Sequence, residues 1–382
     1  MGLTGGRWSG RGGLTFYLVR PVLALVLLVP VVTLFGMSWQ SNGDSERYAD
    51  HERHGVSYIN ALISVELALA ESQTSNMTGR SVETAAQPLV RAIQTAAAAD
   101  AKYGDELRTH ERWAELRTKI ESLSTSNTEA VAAYSAAEET AELLLALIEK
   151  VRTSSGLIRD PSADTYYLQD AAAQELPEAI VASSRLVGLA MLTVLQPATQ
   201  DALLGDLLSS RAALASNVVD LADDVRQTVD TTDSKALGGN LLAPLDRFRQ
   251  AVDSLMPAAT ALRGRTLVIN PAEVGQSWEA ARSAAGTLSM VMLSETDSLL
   301  ADRLVSLGQR TRNAILVLVA AVLLAVVPPV VELVRWRRRG SRPRPPAQPP
   351  AHAQQRAGDQ TLVPARGDAS MAAAWGRSGA AR

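Results

Sequence analysis

The sequence predicts an all-α protein, an elongated antiparallel helical bundle, single or built from two stacked modules, held between two transmembrane helices. Three observations predict it. Hydrophobic residues make up 47% of the 382-residue chain but aromatics only 4%, and alanine- and leucine-rich sequence favours helices because unbranched side chains lose little rotamer freedom there. Apolar positions recur at spacings of three and four through the middle of the chain, with no convincing alternating strand. Two long uncharged runs bracket that middle.

The first run, Pro21 to Met37, is 17 residues without a charge, and "FYLV" before Arg20 extends it toward the roughly 20 that a bilayer core requires. The second, Asn313 to Val331, is 19 residues long. Residues 16–37 and 313–334 are therefore expected to span, the first as an uncleaved anchor, since no small-residue cleavage site follows it. The net charge of −3 conceals a segregation: residues 1–37 carry three Arg and no acid, and residues 313–382 carry ten Arg against Glu332, Asp359 and Asp368. The positive-inside rule then puts 1–15 and 335–382 in the cytoplasm and the acidic 38–312 outside. Arg335, Arg337, Arg338, Arg339, Arg342 and Arg344 form the topology anchor and attract anionic lipid. Trp39 and Trp336 fall near the two water interfaces.

Between the spans, "DALLGDLLSSRAALASNVVDLADDVRQTV" places Leu207, Leu214, Val218, Leu221 and Val225 on one helical stripe, and "AELLLALIEKVR" does the same with Leu144, Leu147, Ile148 and Val151. Turn formers at "NMTGRS", "KYGDE", "SSGLIRDPSAD", "LQPATQD", "TTDSKALGGN" and "RTLVINPAEVG" divide the region into helical segments. Because both ends return to one membrane face, the long helices must run up and down an even number of times.

One segment stands out. In "TSSGLIRDPSADTYYLQD", residues 153–170, Asp160-Pro161 reads as a helix start with Asp160 as cap and Pro161 at the first helical position. Gly156 loosens the exit of the preceding helix, and Asp164 suits the positive end of the next. On that reading the tyrosines simply pack the bundle. The segment also holds more polar groups than a cap needs, and Arg159, Asp164, Tyr166, Tyr167, Gln169 and Asp170 are the candidate ligand-binding residues.

"SGLIRDPSADTYYLQDAAAQELPEAI" resembles the S-G-L-x-x-D-P-x-x-D-[ST]-Y-Y-L-x-D segment in the periplasmic sensor regions of some bacterial methyl-accepting chemotaxis receptors, membrane sensor kinases and diguanylate cyclases. "ERHGVSYINALISVELAL", Glu52 to Leu69, is similar to the E-R-x-G-V-x-Y-L segment that follows the first span of the same proteins. The resemblance covers about residues 15–335 and implies a helical sensory module, often dimeric, that responds to a small molecule or an envelope protein. The chain departs from those receptors after the second span. Its last 47 residues, Trp336 to Arg382, are rich in Arg, Pro, Ala and Gly and lack helical periodicity, so they cannot bury enough apolar surface to order themselves. A separate signalling partner is implied in place of an output domain. The rival expectation is a non-sensory membrane scaffold that binds another envelope protein and anionic lipid.

Other constellations point to no reaction. Without cysteine there is neither a disulfide framework nor a thiolate metal site. His51 and His54 share a helical face, with His110 as the remaining outer imidazole, and read as surface residues rather than metal ligands. "LGGN", Leu237 to Asn240, reads as a turn, and Glu138-Glu139 and Asp223-Asp224 as solvated faces. We expect no catalytic residues, metal, cofactor or nucleic-acid partner.

Overall fold

The computed structural model describes residues 12–78, 82–125, 129–263 and 266–340. They are all-α: α1 (Gly12–Thr78), α2 (Val82–Leu107), α3 (His110–Thr125), α4 (Ala130–Ser155), α5 (Ala163–Asp170), α6 (Leu176–Leu195), α7 (Gln200–Thr231), α8 (Lys235–Ala259) and α9 (Pro271–Gly340). A two-residue pairing, β1 (Leu262–Arg263) with β2 (Thr266–Leu267), turns the chain from α8 into α9. The chain divides into two units, Met1–Val327 and Pro328–Arg382. In the second, the described residues are the last turns of α9, helical through Pro328-Pro329, with Arg335, Arg337 and Arg338 exposed. The Arg339 side chain, Arg342, Arg344 and Trp336's side chain lie outside the described residues.

The predicted stripes form the core of the first unit. Leu207, Leu214, Val218, Leu221 and Val225 of α7 are buried, as are Leu144, Leu147, Ile148 and Val151 of α4. Side-chain partners trace how α9 lies along α1. Arg282 pairs with Glu71 at 3.2 Å, Gly286 abuts Leu67, Arg53 grips Asp297 through two hydrogen bonds of 2.7 and 3.0 Å, and Asn42 donates to Thr311 at 3.2 Å.

Several boundaries differ from the sequence expectation. "KYGDE" does not break the chain: α2 continues to Leu107, and the turn comes at Arg108, whose φ is 55°. Gly104 serves close packing instead, since a Cβ there would lie 2.6 Å from His110 Nδ1. "LGGN" is not an interhelical turn but lies in the first turns of α8. A break between α3 and α4 was not among the expected ones, although "STSNT" is a cluster of hydroxyl and amide residues. At the junction, Asp160 is not the helix cap. α5 begins at Ala163, and Asp160 Oδ1 instead accepts from the Ser162 backbone N–H at 2.7 Å, with Pro161 inside that turn.

Between α5 and α6 the helix widens into a π turn, Ala171–Glu175. Pro177 accounts for it: proline has no N–H to donate, and its ring would collide with the carbonyl four residues earlier. The Leu176 N–H reaches back five residues to Ala171 O.

Two described helices are long and apolar enough to cross a membrane. In Ala163–Leu195 the apolar window is 72% buried inside the protein, so its hydrophobicity is that of a core helix; in Pro271–Val331 the window is 0% buried. At the start of the chain α1 runs unbroken through the other apolar segment, where Val26, Val29, Val32, Leu34 and Met37 are exposed.

α1 and α4 approach closely at Gly55, where an added Cβ would lie 2.3 Å from Ser155 Oγ. Gly55→Ala is expected to destabilise the bundle by about 1–3 kcal/mol through overpacking. Gly275→Ala, in open helix with nothing within 4 Å, should be neutral or stabilising by up to about 1 kcal/mol. Chemical unfolding of both variants checks this contrast, and equal effects would mean that the α1–α4 contact is loose.

Candidate functional site

The two sequence stretches singled out above meet in space. Tyr48 Oη donates to Gly156 O at 2.6 Å, just where Gly156 ends α4 with a φ of 89°. Four residues along α1, Glu52 is fully buried against the junction. Gln169 Nε2 donates to Glu52 Oε1 at 3.4 Å and to Asp160 Oδ2 at 3.3 Å. From α9, Arg303 forks onto Asp160, Nη2 to Oδ1 at 2.6 Å and Nη1 to Oδ2 at 2.9 Å, and its Nη1 lies 3.5 Å from Glu52 Oε2. One guanidinium thus faces two buried carboxyls. Burial, and then the neighbouring Asp160 carboxylate, push the Glu52 carboxyl up to about 8, against the downward pull of Arg303 and the Gln169 amide. At neutral pH Glu52 therefore carries its proton and the cluster is uncharged overall.

Beside this cluster lies an open groove of about 1400 Å³ between α1, the junction and α9. Arg159, Asp164, Asp302 and Arg310 line it, and Tyr48 and Arg303 belong to both its wall and the buried cluster. Charges of both signs and several hydroxyls line it together with the apolar Met37, Leu299 and Leu307.

The six candidate residues do not converge on one point. Arg159 and Asp164 line the groove. Gln169 is buried within the Glu52–Asp160 cluster. Tyr166 and Tyr167 pack edge-to-face with ring centroids 5.4 Å apart. Asp170 turns to α4, where Arg152 reaches it at 2.8 Å while also bonding Glu149 and Gln174.

Asp170 also belongs to an acidic trio with Glu175 and Asp224, whose oxygens lie within 4.8 Å of one another. Asp223-Asp224 is thus not wholly a solvated face. Burial first, then the surrounding carboxylates, raise Glu175 and Asp224 to about 7. A hydrogen bond with Asp170 contributes to the rise at Asp224, and the three carboxyls are close enough together to hold a metal ion. Glu138 is half-buried against Arg185, and Glu139 pairs with Lys119 at 2.5 Å. His51 and His54 both point at Glu106 of α2, at 2.7 and 3.0 Å. His110 sits apart, on Asp100 at 2.5 Å, where Tyr58 also donates at 2.7 Å.

Sequence reasoning missed Glu52, Asp160 as an ion-pair partner, Arg303 and Glu66. Glu66 is 3% exposed, and neither carboxyl oxygen has a hydrogen-bond partner among the described residues, so burial holds it well above the usual carboxylate range. A signal was available: each of Glu52, Glu66 and Arg303 stands in phase with buried apolar neighbours, Glu52 with Val56 and Ile59, Glu66 with Leu62 and Leu69, Arg303 with Leu300 and Leu307.

No known protein family, curated protein or solved structure matches this chain.

The raised carboxyls fix the sign of the pH dependence. Glu52, Glu175 and Asp224 keep protons in the folded state that the unfolded chain releases at ordinary carboxylate values, so stability falls as pH rises from about 5 to about 8. The raised His110, held by Asp100, acts in the same direction. The melting temperature should therefore be higher at pH 5.5 than at pH 8.5, by about 2–4 °C per kcal/mol involved, and Asp224→Asn should flatten part of the slope. A rise in melting temperature over that interval would contradict these assignments.

Proposed function

We propose that the chain is an integral membrane, sensor-like protein whose antiparallel bundle, 38–312, stands outside the cell between membrane helices 16–37 and 313–334, with both termini cytoplasmic. The observation that carries this reading is the pairing of α1 with α9. In Glu71–Arg282, Leu67–Gly286, Arg53–Asp297 and Asn42–Thr311, one residue number rises as the other falls. Continued at the same register, the exposed apolar residues of α1 after Val26 come beside the exposed apolar residues of α9 after Leu316. Two adjacent apolar helices at one end of a polar bundle are what a bilayer accommodates.

The groove between α1, the junction and α9 is the proposed ligand site, and its mixed charges suit a small zwitterion such as an amino acid. A ligand that binds one arrangement of α1 and α9 better than another shifts them along each other, since equal affinity would shift nothing. A sliding or tilting of these helices would then move the spans and reach a separate signalling partner. The resemblance of Glu52–Leu69 and of the 155–170 segment to receptor sensor regions supports this reading, as does the packing of the two stretches against each other. A second reading, a scaffold that binds another envelope protein or a second copy, is favoured by Leu208 and Val219, exposed on the outward face of α7.

Thermal unfolding of the full chain in detergent, screened against amino acids, organic acids, nitrogen oxyanions and purines, tests the sensor reading. A ligand at about 100 times its dissociation constant should add roughly 2.7 kcal/mol. A dose-dependent rise with zwitterions, lost in Asp302→Ala or Arg310→Ala, is expected. A cooperative transition unmoved by every class would favour the scaffold.

A further inference from the structure

The buried cluster at the junction has a property that neither packing nor a ligand in the groove requires. Its three charged members come from three separate parts of the chain: Glu52 from α1, Asp160 from the turn before α5, and Arg303 from α9. Asp160 already uses both oxygens on Arg303, in a bidentate fork. The second carboxyl is therefore left without a full partner. Glu52 Oε2 is buried with no hydrogen bond and lies 3.5 Å from Arg303 Nη1, and Gln169 Oε1 is likewise unbonded. A proton on Glu52 occupies an oxygen the network does not otherwise use. An ionised Glu52 would leave a buried negative charge competing with Asp160 for one guanidinium, and an uncompensated buried charge is among the more destabilising arrangements a core can hold.

We propose that Glu52, Asp160 and Arg303 form a proton-controlled clasp between α1 and α9, closed while Glu52 is protonated and loosened when it loses that proton. The ligand of this site is thus the proton itself, and the element it biases is the pair of helices that runs on into the two exposed apolar segments. Above the folded-state value of about 8 for Glu52, two carboxylates face Arg303. Repulsion between the Glu52 and Asp160 carboxylates, which one guanidinium cannot fully offset, then parts α1 from the junction.

The groups facing Glu52 are few. On α1 it is Tyr48, whose phenol is raised by burial and then by Glu52 and Asp160. On the junction they are Asp160 and, through Tyr48, Arg159. On α5 it is the neutral Gln169, with Asp164 acting through Arg303. On α9 it is Arg303. The two histidines on this part of α1, His51 and His54, are engaged with Glu106 of α2, and variants of Glu52 leave them intact. The inference does not depend on what the groove binds, so the clasp and the ligand reading can fail separately.

The chain has no cysteine, so a spin-label pair can be introduced cleanly at two exposed positions, Arg47→Cys on α1 and Gln309→Cys on α9, in the full-length protein in detergent or nanodiscs. Between pH 6 and pH 9.5 the interspin distance distribution is expected to broaden reversibly, with a midpoint within about one unit of the value of about 8 to which burial and Asp160 raise Glu52. Glu52→Gln, which cannot ionise, should keep the pH 6 distribution throughout. Asp160→Asn, which leaves Glu52 as the only carboxylate on Arg303, should move the midpoint to lower pH. A wild-type distribution unchanged over the whole range overturns the proposal without recourse to any variant. So does a transition that persists in Glu52→Gln, or a midpoint that Asp160→Asn leaves in place.

Discussion

The interaction on which the rest of the structure depends is the fork of Arg303 onto Asp160, with Glu52 held beside it. α1 and α9 are the two longest described helices, 67 and 70 residues, and helices of that length need lateral partners to keep a register. Arg53–Asp297, Arg282–Glu71 and Asn42–Thr311 join the two directly. The Arg303 fork brings in a third part of the chain, because a planar guanidinium meets both oxygens of one carboxylate only in one orientation. It fixes α9 against the turn that precedes α5, and through Gln169 and Glu52 it fixes that turn against α1.

The close approach at Gly55 and the bond from Tyr48 to Gly156 depend on the same placement. Gly55 admits Ser155 and Leu157 to the surface of α1, and Tyr48 donates a second hydrogen bond to the Gly156 carbonyl, which also accepts from the Arg159 N–H. Farther along α1, Tyr58 and His110 converge on Asp100, which ties α2 and α3 to the same helix. At these places polar groups join one helix to the next, while the buried stripes of α4 and α7 are held by leucine, valine and isoleucine. On the proposed reading, this arrangement lets a change at the junction reach α1 and α9 together.

Much of the fold was legible because helical periodicity is a property of the local sequence. The stripes of α4 and α7 were readable from spacing alone, and most of the breaks were marked by glycine, proline or clustered hydroxyl residues. The failures have particular causes. Gly104 and the glycines of Leu237–Asn240 were read as turn formers, whereas the first stays helical to admit His110 and the others lie within α8. Asp160 was read as a helix cap because Asp-Pro is a strong local signal, but its carboxylate is claimed by Arg303, 143 residues away. No local pattern specifies such a partner. The candidate site was legible as a place rather than as a set: the junction was singled out, but its six residues divide between a groove, a buried cluster and an ion pair, and the residues that join it to α1 and α9 lay elsewhere in the sequence. A charge standing in the apolar phase of a helix, as Glu52, Glu66 and Arg303 do, was the signal that could have found them.

The most direct test of the account is a double-mutant cycle on the fork, with Asp160→Asn, Arg303→Gln and the pair measured by reversible chemical unfolding of the full chain at pH 6.5. If the fork organises α1, the junction and α9, the two substitutions should be coupled by at least about 2 kcal/mol, the range of buried, hydrogen-bonded charge pairs. Effects that add to within about 0.5 kcal/mol would show two independent residues, and the clamp between the first and last helices would have to be sought elsewhere.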